Sequence, residues 1–242
     1  MLLNRLDRQT SKGMCALRIS MLTVCLQSAS GGAAEAAAPC DNPNLLVLAQ
    51  TRELHQEVCT AAELALEFLS RYGLQVKHPI RINIVGQPLD NLTYSAYGSY
   101  DSRSDLVQVM SPQSIHQTAS APKVNYQPLD RTQYRGIVAH EVAHALIQQN
   151  SKVLPLPLGT AAQEYLATVT QLSILPPATI ERVIRAADVG PWESGDVISG
   201  DYMAMSPGRF AVKSYLHLNR HPMPAKFIDE LLRSRWFYVN VE

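Results

Sequence analysis

The feature that most constrains this chain is the run His140-Glu141-Val142-Ala143-His144. It lies in a stretch, residues 131–150, where Ile137, Val138 and Leu146 recur with helical spacing. Residues four apart on a helix share a face, with their Cβ atoms about 5–6 Å apart. Two imidazoles placed this way can bind one Zn²⁺ at about 2.0–2.1 Å each. Glu141 stands beside them and can reach a water at the metal without taking a ligand position, which is the place of a general base. With 7 His and 11 Glu in 242 residues, chance yields the pattern about 1% of the time. Its neighbours Val138, Ala139, Val142, Ala143 and Ala145 are apolar or small. They predict a buried helix, on which charged or polar side chains need a partner or a metal.

Two histidines do not hold a catalytic zinc, so a third protein ligand is expected. Glu164 is the first choice. It is the only acidic residue between Glu141 and Glu181, in a predicted helix otherwise of Ala, Leu, Val, Thr and Gln. Asp130, Asp188, Asp201, His116 and His217 remain alternatives. The extended motif HExxHxxGxxH is absent, because Ile147 and Asn150 occupy its Gly and final His positions.

The stretch from Tyr134 to Leu172 resembles the gluzincin-type zinc metallopeptidases, which carry HExxH on one helix and a glutamate ligand on the next. Leu156-Pro157-Leu158-Gly159, followed by Glu164-Tyr165-Leu166-Ala167, is similar to the entry into that second helix. The resemblance covers about 40 residues well and the rest only in element order. It implies Zn²⁺ on His140, His144 and Glu164, Glu141 as the catalytic base, and a peptide or protein substrate held along an edge strand. It also implies an exported bacterial family. One departure stands out. Many members place an Asp three or four residues after the ligand glutamate to hold the first histidine, and here Ala167 and Thr168 stand there.

The composition narrows the rest. Lys plus Arg is 21 and Asp plus Glu is 21. This balance argues against nucleic-acid binding, which needs a basic surface. At 46% hydrophobic the chain is an ordinary globular one. No apolar run approaches the roughly 20 residues of a spanning helix.

Residues 1–38 read as a signal peptide or processed segment. Arg5, Arg8, Lys12 and Arg18 give a basic start, residues 19–26 an apolar stretch, and residues 28–38 a small-residue run with Ala34-Glu35-Ala36. Met14 is an alternative start. Val24 before Cys25 does not suit a lipoprotein signal. Export to the periplasm or outside the cell is the expectation, with residues 39–242 as a single domain. That portion keeps only Cys40 and Cys59, which read as one disulfide tying the mature N-terminus to the first helix.

The expected order along the chain is helix (44–72), strands (79–85, about 94–100 and 106–110), a loop (112–130), then helices (131–150, 160–175, 178–187, 202–219 and 224–233). This is an α+β fold: a small antiparallel sheet followed by a mainly helical, zincin-like active-site and C-terminal region. Residues 106–110 could accept a peptide by strand addition, although an ordinary sheet strand is the simpler reading. For oxyanion stabilisation the candidates are Tyr165, Tyr202, Arg209 and His217. His217 and His221 are also four apart, but at a predicted helix end. The rival function is a non-catalytic metal-binding or peptide-binding protein of the same fold.

Overall fold

The structure is a computed structural model and describes residues 37–89, 96–118, 120–156, 158–235 and 238–241. Nearly all of the expected processed segment lies outside these residues.

The N-terminal half builds a sheet in the order β1-β2-β3-β5-β4, from β1 (Ala38–Pro39), β2 (Leu45–Leu48), β3 (Ile80–Val85), β4 (Gly98–Asp101) and β5 (Leu106–Met110). The helix expected from residue 44 is instead a strand followed by a helix, α1 (Arg52–Ser70). Leu45 and Val47 are buried and alternate with half-buried neighbours, a period of two rather than 3.6. Thr51 then caps the helix, its hydroxyl accepting from the Leu54 backbone N–H at 3.2 Å.

The sheet is mixed, which corrects the antiparallel expectation. Because α1 crosses over between β2 and β3, those strands run parallel, Leu45 opposite Ile80. β5 is parallel to β3, Ile82 opposite Val107. Only the β1–β2 and β4–β5 pairings are antiparallel. β5 is therefore paired on both sides and has no free edge for a peptide. Among the described residues, the edge strand on that side is β4.

After β5 come α2 (Pro112–Thr118) and a small hairpin of β6 (Lys123–Val124) and β7 (Gln127–Pro128), in a region expected to be loop. Then follow α3 (Arg131–Asn150), α4 (Thr160–Ser173), α5 (Pro177–Ala187), β8 (Val197–Ser199), α6 (Gly200–Met205), α7 (Pro207–Arg220), α8 (Pro224–Leu231) and β9 (Tyr238–Asn240). The helix expected over 202–219 is two helices. Pro207, which has no N–H to donate, starts α7 after the non-helical Ser206. β9 returns to pair antiparallel with β8. The described elements are mixed helix and strand, as an α+β fold requires.

α1 and α3 pack against each other and against the sheet, while α4 packs on α3 and carries α7. Ile80, Ile82 and Ile84 of β3 are buried, as are Val58, Ala62, Leu66 and Leu69 on the predicted face of α1. α3 is buried nearly all round, from Tyr134 to Ile147. A disulfide joins Cys40 to Cys59, with 5.4 Å between the α-carbons, and staples β1 to α1.

Candidate metal centre

α3 is fixed before it reaches the histidines. Asp130 caps it, its carboxylate accepting from the Gln133 backbone N–H at 2.8 Å. Glu57 of α1, itself buried, forms ion pairs with both Arg131 and Arg135. These arginines lie one turn apart, so a single carboxylate holds the first turn and a half of the helix. Asp130 is thus a helix cap and not a ligand.

One turn further along, His140 and His144 face the same way. Their Nε2 atoms are 3.1 Å apart. Burial and, secondarily, the neighbouring His144 push the His140 pKa down to about 4. Burial alone pushes His144 down to about 4. Both rings are therefore neutral at pH 7, the state in which imidazole binds metals.

α4 brings in Glu164, 20 residues after His144, from its second turn. One carboxylate oxygen lies 3.6 Å from His140 Nε2 and the other 3.7 Å from His144 Nε2. Taking one ligand atom from each residue, all three lie within 4.8 Å of one another. Ligands bound at about 2.0–2.1 Å to a tetrahedral ion stand about 3.3–3.4 Å apart. The donor set and its spacing therefore fit a divalent metal ion. The alternative ligands are elsewhere: Asp188 ends α5, Asp201 is exposed in the first turn of α6, and His116 is in the last turn of α2.

Glu141 is buried against the edge strand. A Cβ on Gly98 would stand 2.5 Å from Glu141 Cγ and 2.7 Å from Oε1. Burial, and then the charge of Glu164, push its carboxyl up to about 8. His140, Glu141 and Glu164 open on a cleft of about 290 Å³, lined also by Tyr97, Gly98, Asn125 and Gln171.

Two amide side chains of the cleft escaped the sequence reading. Gln171 lies beside His140, where its side chain favours the protonated ring. It is seven residues beyond Glu164, two turns along the same face of α4, whereas the resemblance directs attention to three or four. Thr168, at the expected distance, instead bonds its own helix, donating to the Glu164 carbonyl at 2.7 Å. Asn125 is the other; its stretch reads as a polar loop.

None of the four oxyanion candidates lines the cleft. The Tyr165 hydroxyl and His217 Nδ1 hydrogen-bond to each other at 2.7 Å in the core. Tyr202 packs edge-on against Trp192, and Arg209 is exposed. His221 accepts from the Met223 backbone N–H at 3.1 Å and stacks on Phe227. A larger cavity, about 800 Å³, lies at the ends of β2, β3 and β5 and includes none of the three candidate ligands.

A family model described as "Family of unknown function (DUF6639)" matches residues 45–241. No curated protein and no solved structure matches the chain.

Proposed function

The chain belongs to that family of unknown function, and we propose that it is a zinc-dependent hydrolase, a peptidase of the gluzincin type. The observation that carries this reading is the convergence of His140, His144 and Glu164 beside a buried Glu141 that is not one of the three.

Two nitrogen donors and one oxygen donor, with a position left for water, are the ligand set of catalytic zinc. A zinc ion there would polarise a carbonyl and lower the pKa of a water towards 7. Glu141 takes a proton from the attacking water on a carboxylate oxygen. It then gives that proton to the leaving amine nitrogen as the C–N bond breaks. Burial and the charge of Glu164 raise its proton affinity, so it can carry the proton between the two halves of that cycle. The packing of Gly98 on Glu141 puts the free edge of β4 beside the base. An extended peptide pairing with β4 would run past that carboxylate, with backbone hydrogen bonds supplying affinity. The disulfide and the absence of a spanning helix among the described residues are consistent with export.

The test is elemental analysis and peptide turnover of the purified protein beside Glu141→Gln. The expected result is about one zinc per chain in both proteins, with turnover only in the wild type. Zinc without turnover in the wild type would leave the non-catalytic metal-binding reading. Absence of zinc after reconstitution would end both.

A further inference from the structure

The hairpin ahead of α3 pairs Lys123 with Pro128 and Val124 with Gln127. Asn125 and Tyr126 are its two-residue loop, with φ of +48° and +66°. Positive φ at both positions matches the twist of a hairpin, and Asn enters that region more readily than most residues. Tyr126 pins the tip: a Cβ on Gly208, near the start of α7, would stand 2.6 Å from its ring.

The pinned loop presents Asn125 to the cleft that holds His140, Glu141 and Glu164. Its Nδ2 is buried and has no hydrogen-bond partner. A buried donor left unpaired is destabilising, so such a group in a cleft calls for an acceptor from outside the chain. Of the other polar side chains there, the Thr168 proton goes to main-chain carbonyls of its own helix, Gln171 lies beside His140, Lys123 is exposed and Tyr97 is half-buried.

We infer that Asn125 is the oxyanion donor of this site, an inference that rests on the hydrolase reading above. As the water oxygen bonds to the carbonyl carbon, the π pair moves onto the carbonyl oxygen. The Asn125 N–H donates to that oxygen as its charge grows. The water's proton goes to Glu141 and then to the leaving nitrogen as the C–N bond breaks.

The experiment uses the full protein, Asn125→Gly, which preserves the turn and removes the amide, and Asn125→Asp, an isostere without the donor. Metal uptake is read first, by loading with Co²⁺ and recording its visible spectrum. Inorganic phosphate, a tetrahedral oxyanion, is then titrated onto the cobalt-loaded protein. Cobalt uptake should match the wild type in both variants, since neither removes a ligand. Phosphate affinity should fall about tenfold or more. In the zinc-loaded form, kcat on a mixed peptide substrate should fall about 10²–10³-fold with KM held. Variants that bind phosphate and turn over like the wild type would overturn the role of Asn125 and leave the metal site standing. A wild-type protein that takes up no metal would overturn the hydrolase reading itself, and this inference with it.

Discussion

The Glu141 carboxylate rests on the α-carbon of Gly98: a side chain on that residue would overlap Glu141 Cδ, 2.8 Å from the new Cβ. Real Cβ contacts do not come this close, and Gly98 is held in register with Val109 of β5. The carboxylate must therefore give way. Gly98→Ala should retain zinc, since none of the three ligands is touched. It should lower kcat about 10²-fold or more, the contribution of a positioned general base. Metal content and turnover measured together check this; full activity in the variant would place the base elsewhere.

His140 Nδ1 is buried without a hydrogen-bond partner, and Gln171 is the polar side chain beside that ring. The groups that orient a ligating imidazole typically contribute about 10–100-fold in metal affinity. Gln171→Leu should weaken zinc binding by that factor, whereas Glu164→Ala should abolish stoichiometric binding. Competition with a chromogenic chelator distinguishes the two effects. Equal affinity in Gln171→Leu and wild type would show that the amide only packs.

The Cys40–Cys59 bridge closes a loop over a sequence separation of 19 residues. A loop of that size stabilises a fold by roughly 3 kcal/mol through the unfolded chain. The Cys40→Ala, Cys59→Ala double variant should melt about 6–12 °C lower. Its zinc content and turnover should be unchanged at 25 °C, because neither cysteine lines the cleft. Calorimetry and turnover on the same preparation test both halves.

His217 gives the metal-free protein a pH dependence. Burial first, and the charge of His221 second, hold its pKa at about 4, against 6.5 for a free imidazole. Below pH 6.5 the unfolded chain takes up a proton that the folded ring refuses. The stability is therefore fully present above pH 6.5 and is lost as pH falls towards 4. His140 and His144, depressed to about 4, act with the same sign when no metal is bound. Melting temperatures of EDTA-treated protein should fall over this window, and less steeply in His217→Gln. Identical slopes in the two proteins would contradict the assignment.

The motif helix, the pairing of Cys40 with Cys59, and Glu164 on the next helix were all legible along the chain. Each rests on something local: four-residue spacing that puts two histidines on one face, two cysteines left in one expected domain, a lone acid in an apolar helix. Sheet topology was not legible. The apolar run at Leu45 is compatible with strand or helix, and which strand ends at the edge depends on pairing between segments far apart in sequence. That pairing took the free edge from Leu106–Met110 and gave it to Gly98–Asp101. It also set Gly98 against Glu141, and tertiary packing brought Asn125 and Gln171 to the same cleft from a hairpin tip and from two turns beyond the glutamate. The sequence by itself determined which side chains can bind a metal, because ligand chemistry and helical period are properties of neighbouring residues. Only the tertiary structure decided what surrounds them, because burial and close approach are made between elements that share no local pattern.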